Sequence, residues 1–90
     1  MTKEEALLSF NATLAFLMIY YQDCLFTTNV YLKCGSLEIS VHIDNKEKDV
    51  DNFIDKMKGI IVCGTKVYQH DIDKYNTTVV TFDFAFNPHT

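Results

Sequence analysis

The chain has no tryptophan and no arginine, one proline, three glycines and three cysteines among its 90 residues. Each shortage removes a class of function. Without arginine there is no bidentate guanidinium fork for phosphate, carboxylate or guanine. A formal charge of -4 further disfavours direct binding to a nucleic-acid backbone. Gly35, Gly59 and Gly64 are too dispersed to form a phosphate-cradling loop, and no serine stands in a nucleophile elbow. Cys24, Cys34 and Cys63 are an odd number without disulfide-framework or zinc-ligand spacing. Cys24 and Cys34 would cap opposite ends of one strand, and ten strand residues span roughly 33 Å, far beyond disulfide reach. The three are expected as buried, reduced thiols of an intracellular protein.

What is present describes a folded domain. At 48% hydrophobic and 13% aromatic the chain can build a core, and its length predicts one domain spanning 1–90, near the lower limit for a core without metal or disulfide. Met1 to Glu5 is acidic where a signal peptide needs a basic region, so the sequons at Asn11 and Asn76 are expected to be silent. Ala6 to Tyr21 is shorter than the ~20 residues of a membrane span and is interrupted by Ser9, Asn11 and Thr13. A cytoplasmic protein, without membrane or cofactor, is expected. All eight basic residues are lysine. Abundant Lys, Asn, Ile, Phe and Tyr without Arg or Trp accompany AT-rich coding sequence, which is frequent among small open reading frames of phages and other mobile elements.

Periodicity gives two helices and four strands. Thr2 and Glu5 form a capping box for a helix over 6–21. Residues 24–34 read as a first strand, with Phe26, Val30 and Leu32 on one face and Leu25, Thr27, Asn29, Tyr31 and Lys33 on the other. Residues 37–43 form the cleanest strand, burying Leu37, Ile39, Val41 and Ile43 and leaving Glu38, Ser40 and His42 outside. Asp44 and Glu47 resemble a second capping box, for a helix to about Lys58 with Val50, Phe53, Ile54 and Met57 as its stripe. Residues 60–68 read as a third strand with a bulge at Gly64, 69–75 as a polar connection, and 77–86 as a fourth strand burying Val80, Phe82, Phe84 and Phe86. The order αββαββ predicts an α+β domain, a four-stranded, mainly antiparallel sheet with both helices on one face.

The first helix is more apolar than one sheet contact requires. Ala6, Leu7, Phe10, Leu14, Leu17, Met18 and Tyr21 share an arc of roughly 120° that suits the sheet. Leu8, Ala12, Ala15 and Ile19, with Phe16 beside them, form a second stripe. Either the second helix covers that stripe or another chain does, in which case these five residues are a homodimer interface.

Candidate chemistry is sparse. His42 with Asp44, or His70 with Asp71, is the minimum for a carboxylate-held general base, and reads more simply as polar surface. Cys63 in an apolar strand is expected to be inert as a nucleophile. Cys63 and His70, even joined by His42, Cys24 or Cys34, have no metal-ligand spacing. The acidic run Asp44, Glu47, Asp49, Asp51, Asp55 is neutralised by Lys46, Lys48, Lys56 and Lys58, so it makes a poor mimic of nucleic-acid phosphate. The remaining candidate is the outer sheet face, where Thr27, Asn29, Tyr31, Glu38, His42 and Asp83, with Leu25, Lys33, Ser40, Val79 and Thr81, mix aromatic, aliphatic and polar character as protein interfaces do. These features predict a small non-enzymatic protein-binding inhibitor that occludes a functional surface of a host or cognate protein. The composition tilts it towards a phage or viral anti-defence, anti-CRISPR-like role in the host cytoplasm. The alternative expectation is a dimeric regulatory domain that binds a small molecule at its tyrosines.

Overall fold

A computed structural model describes residues 1–89. Helix α1 (Lys3–Tyr20) leads into strands β1 (Leu25–Tyr31) and β2 (Ser36–Asp44). Helix α2 (Val50–Lys58) follows, then β3 (Lys66–Ile72), a single 3-10 turn (Asp73–Tyr75) and β4 (Thr77–Ala85). The sheet order is β1-β2-β4-β3 with every pair antiparallel, so the α+β architecture expected from the sequence is what the chain forms.

The central strands bury the alternation that defines them. Leu37, Ile39, Val41 and Ile43 of β2 face Phe84, Phe82, Val80 and Thr78 of β4 in register, all buried under the helices. Phe86 joins them just beyond β4. From α1 come Ala6, Phe10 and Leu17, with Phe10 edge-on to Phe84 at 6.1 Å. From α2 come Phe53 and Met57. An aromatic relay runs from Tyr21 through Phe53 (4.9 Å) to Phe82 (6.2 Å) and ties the second helix to the end of the first.

Local signals place the ends of elements. The Thr2–Glu5 capping box is formed in both directions: Glu5 N–H donates to Thr2 Oγ1 at 3.1 Å, and Thr2 N–H donates to Glu5 Oε1 at 3.2 Å. Those bonds hold the Glu5 carboxyl below its ordinary pKa. The second helix does not begin at Asp44. There Asp44 Oδ1 accepts from Lys46 N–H at 2.9 Å and closes a turn, while Asp49 caps α2 by accepting from Asn52 N–H at 3.2 Å. The segment 45–48 offers no apolar side chain to anchor a turn of helix, so the helix waits for Val50.

The third strand is shifted from its expected place. The chain keeps winding past α2, with Ile60 and Ile61 N–H groups both donating to the Met57 carbonyl, so 60–65 is a connection and not a strand. Gly64, at φ +98, lies in a turn before β3 and makes no bulge. The residues read as a loop, Gln69 to Ile72, are the second half of β3. Asn76, at φ 50, takes the left-handed conformation that closes the β3–β4 hairpin.

Candidate interaction surfaces

The register of the sheet aligns its outer face in rows, because residues directly opposite in an antiparallel pair share a face. One row reads Leu25, His42, Val79, His70; the next Thr27, Ser40, Thr81, Tyr68; the next Asn29, Glu38, Asp83, Lys66; and the last Tyr31, Ser36, Ala85. All six residues expected to bind a partner, Thr27, Asn29, Tyr31, Glu38, His42 and Asp83, therefore lie together on one face that no helix covers. Lys33 lies beyond β1 in the connection to β2. Lys66, Tyr68 and His70 join the face from β3; the first two lie in the stretch expected as a strand, whereas His70 was expected in the polar connection.

Hydrogen bonds tie this face together at its centre. Ser40 and Thr81 hydroxyls are 2.9 Å apart, and the Ser36 hydroxyl donates to Asp83 Oδ1 at 2.7 Å. The same row sets two carboxylates, Glu38 and Asp83, directly opposite each other on the central strands. Like charges so placed oppose sheet formation. Lys66 stands opposite Asp83 on its other side and offsets part of that repulsion.

The candidate acid–base pair at His70 does not assemble. His70 and Asp71 are consecutive in a strand and point to opposite faces; Asp71 instead accepts from the buried Thr78 hydroxyl at 2.8 Å. His42 and Asp44 do share a face, two residues apart on β2. Cys63 is exposed in a loop, not buried in a strand. Cys34 is likewise exposed, and only Cys24 is half-buried, so the expectation of three buried thiols is corrected. Burial first, then the Asp23 carboxylate, pushes the Cys24 thiol above its ordinary pKa. No group of three metal-ligating side chains comes together among the described residues.

Comparison with family models, curated proteins and solved structures finds no match. The geometry alone must therefore carry the functional reading.

The first helix settles differently from its expected arc. Ala6, Phe10 and Leu17 are buried as expected, and Leu7, Leu14 and Tyr21 are half-buried. Met18 is exposed, and Ser9 and Thr13 take buried places instead. The sheet-facing arc is thus turned by roughly 60° about the helix axis. Short Ser9 and Thr13 side chains suit close packing of helix on sheet. Apolar residues are spread so evenly around α1 that hydrophobicity gave no single direction.

The expected and the observed arcs both lie roughly 150° from the second stripe, so the stripe stays on the outward side of α1. Leu8 is 71% exposed and Ile19 64%, and Ala12 and Ala15 between them are exposed as well. The second helix does not cover them, which corrects the intramolecular alternative; α2 packs at the far end of α1, on Tyr21. Phe16, half-buried, stacks on Tyr20 at 4.6 Å and lines a groove of about 170 Å³ with Ser9, Ala12, Thr13, Ile60 and Val62. Met18, Tyr20, Ile60 and Val62 are exposed around the stripe.

A larger cleft is chemically different. It holds about 520 Å³ between the start of α2 and the β3–β4 hairpin, and is lined by Lys48, Asp49, Asp51, Asp71 and Asp73 among other polar groups. It is open and has little apolar wall to desolvate a small molecule. Above it Lys48 bridges two loops: its ammonium lies 3.1 Å from Asp23 Oδ2 and 5.9 Å from the centre of the Tyr21 ring. The pairing holds the Asp23 carboxyl below, and the Lys48 ammonium above, their ordinary pKa values. No helix among the described residues is long and apolar enough to cross a membrane.

Proposed function

We propose that this protein is a non-enzymatic binding module that seats the outward face of α1 on a larger protein and acts by occluding a functional surface of it. The observation that carries this reading is the uncovered stripe Leu8, Ala12, Ala15, Ile19 with its apolar surround. Two alanines between two large aliphatic residues let a partner element approach the helix backbone closely, with Leu8 and Ile19 as anchors at either end. The stripe expected as a dimer contact is assigned here to the partner. The outer sheet face, with Glu38 and Asp83 on its central strands and Tyr31 at its β1 edge, is a second and more polar contact area for a partner that presents a cation. The composition directs the search for the target to host defence machinery, an anti-CRISPR-like role in the host cytoplasm.

The test is copurification of the tagged protein from host lysate at low salt, beside the double variant Ala12→Glu, Ala15→Glu. A stoichiometric partner held by the native chain and lost from a folded double variant is expected. Recovery without any partner at several concentrations, or a partner held equally by both chains, overturns the proposal. The alternative of a small-molecule regulator would use the open polar cleft, whose scarcity of apolar wall weighs against it.

A further inference from the structure

The two edges of the sheet are unequal. The outer edge at β3 carries Lys66 and Asp71, charged side chains that deter a further strand. The edge at β1 reads Leu25, Phe26, Thr27, Thr28, Asn29, Val30, Tyr31, with no charge, proline or glycine. Among the described residues β2 is its sole strand neighbour, so its other edge is open. The helices do not shelter it either: Thr28 and Val30 lie on the helix side of the sheet, yet Val30 is 56% exposed.

The chemistry of β1 reads the same in both directions. Pairing the strand antiparallel with its own copy about Thr28 sets Leu25 opposite Tyr31, Phe26 opposite Val30, Thr27 opposite Asn29, and Thr28 opposite itself. Apolar meets apolar, polar meets polar, and both aromatic–β-branched and Thr–Thr pairs are favoured across strands. Just outside the strand the same register sets Asp23, already touched by Lys48, opposite the second copy's Lys33. Sliding the copy by two residues destroys the sorting: Leu25 then meets Lys33 in one direction and Asn29 in the other.

We infer that β1 is an interface between two copies of this chain, paired edge to edge with a two-fold axis at Thr28. The result is one continuous eight-stranded sheet whose ends are the charged β3 edges, so the assembly closes at two. The two outer faces merge, and Tyr31 and Asn29 of each copy flank Leu25 and Thr27 of the other. The outward face of α1 takes no part in the pairing, so this inference stands or falls separately from the proposed function.

Sedimentation from about 10 µM to about 1 mM tests it. The native chain is expected to dimerise, and Thr28→Lys, which sets two ammonium groups at the axis on an exposed site, weakens the dimer at least about tenfold. A cysteine-free background (Cys24→Ser, Cys34→Ser, Cys63→Ser) then tests register. Thr28→Cys brings two thiols within disulfide reach at the axis, whereas two copies of Val30→Cys stand about 13 Å apart along the strand. Oxidation is expected to cross-link the first at least about tenfold faster than the second. A native chain that stays monomeric throughout, a dimer insensitive to Thr28→Lys but dissolved by Ala15→Glu, or equal cross-linking at both positions overturns the inference.

Discussion

Gly35 occupies a place in the β1–β2 connection that no other residue fits. Its φ is +73, a Cβ there would collide with the Phe86 carbonyl, and its own carbonyl accepts the Phe86 N–H at 2.9 Å. Gly35→Ala is therefore expected to destabilise the fold by more than the ~1 kcal/mol of the conformational term alone, read as a lower denaturant midpoint. An unchanged midpoint contradicts this packing. The cysteines make a second expectation at this scale. Cys34 and Cys63 are exposed, while Cys24 is half-buried with its thiol pKa raised. A thiol reagent at neutral pH should modify two thiols quickly and Cys24 at least about tenfold more slowly. Three equal rates contradict it. Of these details the sequence made Gly35 legible as a turn. It did not reveal the exposure of Cys63, because Ile60 to Val62 resembles the start of a strand.

At the scale of elements, strong alternation was enough where both signals agreed. In β2 and β4 every second residue is buried, all of them apolar but Thr78, and every core residue expected from the two strands is buried, Phe86 just beyond the end of β4. In β3 the alternation is weak, and the register is set by β4: Lys66 opposite Asp83, Tyr68 opposite Thr81. The turn chemistry that places β3 was present in Asn76, whose tolerance of left-handed backbone closes the hairpin four residues after Ile72. Helix α2 shows the limit of capping rules, since Asp44 and Asp49 are both plausible caps and only the position of Val50 chooses between them. The opposed carboxylates of β2 and β4 give a prediction of their own. Glu38→Gln removes a like-charge cross-strand contact and should stabilise the domain by about 0.5 kcal/mol, a rise in Tm of roughly 3 °C. If the outer face receives a cationic partner, the same variant should bind that partner less tightly. A fall in Tm contradicts the repulsion.

The whole molecule is two layers thick. Its Cα atoms span 43 × 24 × 18 Å, room for one helix layer on one sheet and no third layer. The sequence made that architecture legible, including the side of the sheet left open. It left open what covers α1, because a helix apolar nearly all round gives no preferred direction and three-dimensional packing has to choose one. The choice falls on Ala6, Ser9, Phe10, Thr13 and Leu17, and it leaves Leu8, Ala12, Ala15 and Ile19 uncovered. This division makes α1 a support on one side and a contact surface on the other. A core role and a binding role for the stripe predict opposite results for the same substitution, since glutamate is an adequate helix former and is harmful only where it is buried.

The most direct measurement is thermal unfolding of the Ala12→Glu, Ala15→Glu variant, run beside partner capture from host lysate. An exposed binding stripe predicts a Tm within about 4 °C of the native chain, equivalent to less than ~1 kcal/mol, together with loss of the captured partner. An unfolded variant, or one that holds its partner as the native chain does, would contradict the assignment of this face of α1.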